Sequence, residues 1–480
     1  KNARSGNSFT TYNGHLNPSQ MMGAWERFQQ KDICDEVLCS IGWGDGGGGT
    51  DREMLENGLR LAKNIPGAPG LHWASARSYF DKWSAKLKGN RFLPAWVNEL
   101  YLEFHRGTLT SQANNKKNNR KSEFLYQSAE LFSYMNMHLL SGDYPKAMFD
   151  ANWLLILTNQ FHDILPGSSI REVYEVSAKE YEKILADGRA VLRAACRAIA
   201  SAVRAKGRTA VCFNDTGIDG RGDVCVLDGE YDVFDAGKRL PSQVSEGKTA
   251  FVASDIPSKG YKAFALAPAS ANAEKAAKID GRRVETPFYR VTVDENGEIS
   301  SLIDKQNGFE LCESGKTLNH LLAYTDIPYC YDAWELAPYY TDQKWSPETV
   351  SSEFIENGPV FAKLRTVRKY GKSTICQDMV FYRNTPRIDV ENEIDWHEDH
   401  TILRVHFPTT VHASYATYDI QFGNLRRPNN KNTSWEFAKF EVCGHKWADL
   451  SDGAYGLAVL NESKYGYSCV ENDLSLSLLR

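Results

Sequence analysis

The hydrophobic pattern of the chain changes twice along its length and predicts three kinds of structure in turn. In residues 1–88, short apolar runs alternate with glycine turns, which is typical of a domain that mixes helices and strands. Residues 89–206 carry long apolar stretches with few glycines, which favours helices. After Gly207 the apolar and polar positions alternate, and this period of two predicts strands. We therefore expect domain boundaries near residues 88 and 206.

The helical region predicts a three-helix bundle. Its last helix shows helical apolar spacing at Ile184, Val191, Ala195, Ile199 and Val203. Ser169 and Glu172 have the spacing of a capping box at the start of this helix, and Gly207 stands where a C-terminal glycine belongs. Helices with apolar stripes of this kind bury them against one another, so a bundle is the natural outcome.

The alternating region predicts two β domains. Residues 207–278 form the smaller domain and a linker rich in alanine, serine and lysine, and residues 279–480 form a larger β-sandwich. Asn296 and Gly297 lie between two alternating runs, which is a strong hairpin signal. The predicted fold class is multidomain α+β: an α/β domain, a three-helix bundle, then antiparallel β-sandwich domains.

Composition narrows the classes of partner. The net charge of −5 argues against a nucleic-acid-binding surface. No apolar run reaches the ~18 residues that would span a bilayer. The ten cysteines are scattered and none forms a CxxC pair, which suits a reduced, cytoplasmic protein. We therefore expect neither a nucleic acid nor a membrane as partner, and a homo-oligomer stays possible.

A glycine-rich loop, "GWGDGGGGTDRE" at residues 42–53, is the first candidate site. Residues 44–49 satisfy the GxGxxG pattern of dinucleotide-binding loops. Asp45 would, however, place a negative charge beside the pyrophosphate, and the acidic residue expected ~20 positions later is missing. Two interpretations stay open. Asp45 caps a flexible turn, or the glycines let a substrate approach a carboxylate that points at it.

Two further candidates lie in the helical region. His162 and Asp163 follow an apolar helix at a predicted corner, where a histidine can ligate a metal while a neighbouring carboxylate tunes it or binds substrate. One ligand is not a metal site, and a lone histidine is more often structural. Glu103, His105 and Arg106 mix charge with aromatic neighbours, which suits a carbohydrate site or, equally, a buried polar cluster. The metal-like "WHEDH" at 396–400 follows a strand, so we interpret it as a polar turn.

Several segments, in this order along the chain, together resemble α-mannosidases of glycoside hydrolase family 38, and its intracellular, microbial type in particular. They are "YNG" (12–14), "GDGGGGT" (44–50), "ELYLEFHRGTLTSQ" (99–112), "NQFHDILPGSS" (159–169), "YDAWEL" (331–336), "RPNNKNTSWEFAKFEVCGHKWADLS" (427–451) and "YGLAVLNESKYGY" (455–467).

The resemblance implies a retaining glycosidase in which Zn²⁺ binds the nucleophilic aspartate and mannose hydroxyls. It assigns His162 as a zinc ligand and Asp163 as a carboxylate that binds sugar hydroxyls. It places Asp45 where the family carries its general acid/base, and His105 at a sugar-facing position. Arg106, which belongs to the same candidate carbohydrate site as His105, is expected to bind substrate as well. The substrate implied is a mannose-containing oligosaccharide.

The family's early HxD motif and nucleophile segment have no match before residue 45. We therefore expect residues 1–88 to be the C-terminal part of the catalytic domain, the nucleophile and the other zinc ligands to be missing, and the chain to be inactive alone. The alternative function is a non-catalytic carbohydrate-binding or assembly module.

Overall fold

The computed structural model describes residues 12–220, 222–270 and 274–480. The chain divides into two compact units, residues 1–100 and 101–480. None of the described helices is both long and apolar enough to cross a membrane.

The described part of the first unit, residues 12–100, contains three α-helices: α1 (Pro18–Arg27), α2 (Arg52–Leu61) and α3 (Ala76–Leu87). Leu16, Met21 and Leu61 form its small buried core. An isolated parallel bridge joins Gly14 to Ile41, and it brings the start of the described chain beside the glycine loop.

The helical bundle lies near the start of the second unit. It comprises α4 (Ala113–Leu140), α5 (Lys146–Asn159) and α6 (Arg171–Ala202). Its core is built from the aromatic and branched side chains of all three helices: Tyr126, Ala129, Phe149, Ile156, Tyr181 and Ile184. The bundle starts at Ala113 rather than near residue 89, because the preceding segment is broken by turn-forming residues such as Gly89 and Pro94.

The start of α6 differs from the prediction. Its N-cap residue is Ile170, and no side chain caps the helix. Ser169 instead donates a hydrogen bond from Oγ to the carbonyl oxygen of Asp163, at 2.8 Å. The predicted capping box is therefore wrong, because the serine hydroxyl is used by the preceding turn.

The small β domain follows the bundle. Its strands are β1 (Thr209–Asn214), β2 (Asp223–Asp228), β3 (Tyr231–Asp235), β4 (Lys238–Arg239), β5 (Ser242–Ser245), β6 (Lys248–Ala253) and β7 (Gly260–Pro268). They form two antiparallel sheets of order β1-β7-β3-β4 and β2-β6-β5. Val233, Phe251 and Phe264 are fully buried in its core.

The large β region carries the remaining strands. They are β8 (Lys278–Asp280), β9 (Arg283–Glu285), β10 (Tyr289–Val293), β11 (Ile299–Asp304), β12 (His320–Thr325), β13 (Lys344–Trp345), β14 (Glu348–Asn357), β15 (Phe361–Tyr370), β16 (Ser373–Tyr382), β17 (Ile388–Asp395), β18 (Thr401–Pro408), β19 (Tyr415–Ile420), β20 (Gly423–Pro428), β21 (Val442–Cys443), β22 (Trp447–Ser451), β23 (Gly456–Leu460), β24 (Gly466–Val470) and β25 (Asp473–Leu479). A short helix, α7 (Ser434–Ala438), precedes β21.

These strands form four sheets around one large hydrophobic core. The largest sheet has the order β13-β12-β18-β25-β24-β21, and its neighbouring strands pair antiparallel. β10 and β11 pair antiparallel around Asn296-Gly297, and Gly297 has φ +75°, so the predicted hairpin is confirmed. The multidomain α+β class, with a helical bundle and antiparallel β-sandwich sheets, is confirmed as well.

Candidate active site

The glycine loop of the first unit is an ordered turn that presents Asp45. Residues Gly44–Gly46 form one turn of 3-10 helix, closed by a hydrogen bond from Gly47 N to Gly44 O at 3.0 Å. Gly44 and Gly47 have positive φ angles of 36° and 66°, which glycine adopts at little cost. A Cβ at Gly44 would lie 2.6 Å from that of Asn13, so the loop needs a glycine there.

The Asp45 carboxylate is exposed and accepts a hydrogen bond from the phenol of Tyr12, at 2.7 Å between Oη and Oδ1. This hydrogen bond raises the pKa of Tyr12. Trp43, also in the loop, packs edge to face against His15, with ring centroids 4.7 Å apart. An exposed carboxylate bound to a tyrosine, in a loop that also exposes a tryptophan, has the composition of a sugar-binding site.

The helix after the loop does not offer a phosphate site. Asp51 is the N-cap of α2, and its Oδ1 accepts from the amide of Met54 at 2.8 Å. The helix N-terminus therefore already carries a carboxylate, which would repel a pyrophosphate. This favours the interpretation of the loop as a carboxylate-presenting turn.

In the second unit, His162 and Asp163 lie in the turn after α5, as the sequence predicted. The Nε2 of His162 is 3.4 Å from Oδ2 of Asp163, and the histidine side chain is 78% exposed. Phe161 packs on the imidazole with ring centroids 4.1 Å apart. The pair is thus exposed to a ligand rather than buried in the bundle.

Three side chains that sequence reasoning missed hold Asp163 in place. Ser168 donates from Oγ to Oδ1 of Asp163 at 2.9 Å, and Ser169 donates to its carbonyl oxygen at 2.8 Å. The phenol of Tyr174 is 3.2 Å from both the Asp163 and Ile164 carbonyl oxygens. The serines directly follow the "FHDILPG" turn, and this run of hydroxyls was the signal that could have revealed the support.

A buried lysine of α4, which the sequence analysis also missed, donates hydrogen bonds to the same turn. Lys116 is 5% exposed, and its Nζ donates to the carbonyl oxygens of Ser111, Leu165 and Pro166 at 2.5, 2.9 and 3.0 Å. Burial lowers its pKa to about 7. From sequence it belonged to the basic run "NNKKNNRK", which has the appearance of a solvated loop.

Arg106 is the first residue of a 3-10 turn, Arg106–Leu109, before the bundle, and His105 is the N-cap residue of that turn. His105 is exposed, has φ +69°, and contacts Trp334 edge to face with centroids 4.9 Å apart. Arg106 is 8% exposed. Its Nε and Nη2 donate to the carbonyl oxygen of Ala438 at 3.1 and 2.9 Å, and Nη1 lies 3.1 Å from the Glu335 carboxylate.

The guanidinium of Arg106 would have to break these hydrogen bonds to reach a sugar. Its assignment as a substrate-binding residue stays a prediction, while its geometry favours a positioning role. Both the His105 turn and the His162 turn are tied to Ser111. Its Oγ donates to Gly107 O in the His105 turn at 2.9 Å, and its carbonyl oxygen accepts from Lys116, which also binds Leu165 O in the His162 turn. The structure thus joins these two parts of the second unit, and Asp45 belongs to the first unit.

Among the described residues, no group of three or more His, Cys, Asp or Glu side chains is arranged to hold a metal ion. His162 and Asp163 could supply an imidazole and a carboxylate, but they do not make a zinc site by themselves. The "WHEDH" segment is a turn between β17 and β18. Its Glu398 accepts from Lys372 N and Ser373 Oγ at 2.7 and 2.9 Å, as expected of a structural polar turn.

Three family models match successive parts of the chain. The glycosyl hydrolases family 38 N-terminal domain matches residues 3–99, the alpha mannosidase middle domain matches 103–199, and the family 38 C-terminal domain matches 284–480. We expected a fragment without the N-terminal part of the catalytic domain and its nucleophile. That expectation is not supported, because the N-terminal domain of the family is matched.

Two similar proteins are both named as alpha-mannosidases. Human "Alpha-mannosidase 2C1" is 34% identical over 92% of this chain and 41% of its own length. "Alpha-mannosidase G" of Dictyostelium discoideum is 29% identical over 98% of this chain and 47% of its own. The chain therefore spans less than half the length of these relatives.

Solved structures share the fold. "An alpha-mannosidase from Enterococcus faecalis V583" superposes with a TM-score of 0.71 at 18% identity, over 90% of this chain and 58% of that one. A second protein from Enterococcus faecalis, described as belonging to glycosyl hydrolase family 38, gives a TM-score of 0.70 at 17% identity over 98% of this chain and 63% of that one. With three domain models of one family matched in order, the chain belongs to glycosyl hydrolase family 38.

Proposed function

We propose that the protein is a retaining α-mannosidase that hydrolyses terminal α-mannosides of oligosaccharides. The observation that carries the proposal is the glycine loop, which holds one exposed carboxylate, Asp45, in a hydrogen bond with Tyr12. The family membership and the names of the relatives support the same reaction.

Asp45 acts as the general acid/base in this proposal. It protonates the leaving oxygen in the first step and deprotonates water in the second, as one carboxyl group does in retaining glycosidases. The Tyr12 phenol is suited to both states, because a hydroxyl can donate to a carboxylate and accept from a carboxylic acid. The glycines leave the backbone bare, so a sugar can approach the carboxyl group closely.

Asp163 binds sugar hydroxyls, and His105 faces the sugar. The hydrogen bond from Ser168 fixes one oxygen of the Asp163 carboxylate, which leaves the other for a ligand and for His162. A carboxylate held in this way binds a diol without losing much side-chain freedom.

The activity is tested by Asp45→Asn in the full chain. We expect kcat/KM to fall about 10²- to 10⁴-fold for mannosides with poor leaving groups, and less for p-nitrophenyl α-mannoside, whose leaving group needs little protonation. Asp81→Asn is the matched control, since Asp81 is an exposed aspartate of the same unit. Equal activity of Asp45→Asn and wild type on both substrates contradicts the acid/base role.

The same assay separates the second candidate function. If the wild-type chain binds mannosides but hydrolyses neither substrate, it is a carbohydrate-binding module, and the catalytic proposal is then wrong.

Zinc dependence is proposed on the family resemblance, with His162 as one ligand. The described residues supply only the His162–Asp163 pair, so we derive no step through the metal. We expect His162→Ala to lower the zinc content of the purified protein, measured by atomic emission, relative to His138→Ala, a histidine in the last turn of α4. Stoichiometric zinc in His162→Ala would remove the ligand assignment.

A further inference from the structure

We propose that Tyr331, Trp334 and His105 form a sugar-binding platform, which takes a second pyranose ring of a mannose-containing oligosaccharide. This inference rests on the proposed function and adds a sugar-binding site within the second unit. The platform is defined by these three residues.

The rings of the platform are arranged as a stacked surface. Tyr331 and Trp334 stack with centroids 5.8 Å apart and an angle of 28° between their planes. His105 meets Trp334 edge to face at 4.9 Å. Tyr331 is 59% exposed and Trp334 is half-buried, so the tyrosine presents a ring face to solvent while the tryptophan anchors it.

Two of these rings stand on backbone that side chains seldom adopt. Tyr331 has φ +58° and His105 has φ +69°. A bulky residue with positive φ persists only where the surroundings hold it, and such positions cluster at binding sites. Fifteen described non-glycine residues have positive φ, so these two angles support the platform only together with its ring geometry.

Several hydrogen bonds hold the backbone that carries the three rings. Gly107 N donates to Trp334 O at 2.8 Å, and the amides of Trp334 and Glu335 both donate to Tyr331 O at 2.8 Å. Beneath them, the buried guanidinium of Arg106 binds Glu335 at 3.1 Å. Rings fixed in this way lose little conformational freedom when a ligand stacks on them.

The chemistry favours a sugar over other ligands. The C–H face of a pyranose packs on an aromatic face, and its hydroxyls need polar groups at the edge of the ring. Asp332 and Glu103 are exposed carboxylates next in sequence to Tyr331 and close in sequence to His105, respectively. A platform of three rings is also far smaller than the ~800 Å² per partner of a stable protein interface.

The test measures binding rather than turnover. Affinity for α-linked mannotriose and for methyl α-mannoside is determined by titration calorimetry on the full chain in the Asp45→Asn background, which keeps the ligand intact. Two variants are compared. Tyr331→Ala removes the aromatic ring, and Tyr331→Phe keeps the ring and removes only its hydroxyl. Tyr134→Ala is the matched control, because Tyr134 is 55% exposed and stacks on His138 in the bundle.

We expect Tyr331→Ala to weaken mannotriose binding by about tenfold, the equivalent of ~1.4 kcal/mol, and to leave methyl α-mannoside binding within twofold. Tyr331→Phe should retain most of the affinity. His105→Gly, whose new residue adopts positive φ freely, should weaken mannotriose binding with the fold intact.

If adding Tyr331→Ala to the Asp45→Asn protein leaves mannotriose affinity unchanged, the platform is overturned. An equal loss of affinity on adding Tyr134→Ala overturns it as well. A wild-type chain that binds mannotriose through Tyr331 but hydrolyses no mannoside supports the platform while refuting the catalytic proposal, so the two failures are distinguishable.

Discussion

Lys116 shows most clearly how one residue can couple two parts of the candidate site. An ammonium group is expensive to bury, and the three carbonyl acceptors around this one offset part of that cost. Two of the acceptors belong to the turn that carries His162 and Asp163. The orientation of that turn therefore depends on a charge in α4.

The titration of Lys116 predicts a dependence of stability on pH. Burial lowers its pKa from the ordinary 10.5 to about 7 in the folded protein. Between these values the unfolded chain binds a proton that the folded chain lacks. The free energy of unfolding should therefore rise with pH across this window, by at most ~1.4 kcal/mol per pH unit for one proton.

Urea denaturation at several pH values between 7 and 10 checks this prediction. Lys116→Met should flatten the slope, because the titrating group is gone. Lys117→Met is the control, since Lys117 is the exposed neighbour on the same helix. An unchanged slope in Lys116→Met would show that the lysine keeps its ordinary pKa.

At the scale of elements, the start of α6 is unusual because it lacks a side-chain cap. Ile170 occupies the N-cap position with extended backbone, φ −71° and ψ 161°, and its side chain is 68% exposed. The backbone is thus already suited to a capping residue, while the isoleucine leaves the first amides of the helix without a side-chain acceptor.

Replacing Ile170 with aspartate should stabilise the protein. We expect the free energy of unfolding to increase by about 1 kcal/mol, because the new carboxylate accepts from an amide of the first turn and lies at the positive end of the helix dipole. Thermal or urea unfolding measures the change. Ile170→Ala removes the same exposed side chain without adding an acceptor, and a similar gain in that variant would contradict the capping explanation.

At the scale of the whole molecule, the pattern of apolar residues was sufficient to predict the order of the parts. The change from helical spacing to alternation near Gly207 corresponds to the end of α6 and the start of β1. The hairpin at Gly297 followed from a local signal as well, and a Cβ there would collide with the side chain of Thr366. Local patterns succeed where the physical cause is itself local.

What the sequence did not reveal depends on contacts between distant residues. Lys116 meets acceptors 49 and 50 positions away, and Arg106 meets Ala438 and Glu335 across more than 200 positions. Sequence spacing could place Arg106 in a polar and aromatic neighbourhood, but not decide that its guanidinium is buried. For Asp45 two interpretations were equally open from sequence, a capping residue or a carboxylate that faces a substrate, and the hydrogen bond from Tyr12 favours the second.

The sharing of Ser111 by two turns has a consequence for protein engineering. Residues 160–169 look like a portable motif, short enough to be grafted onto another scaffold. In this fold the segment is held by Lys116, which also binds Ser111, and the hydroxyl of Ser111 binds both Gly107 in the 3-10 turn and Ala333. A successful transplant would have to move all three pieces together, so the smallest transferable form of this half of the site is discontinuous in sequence.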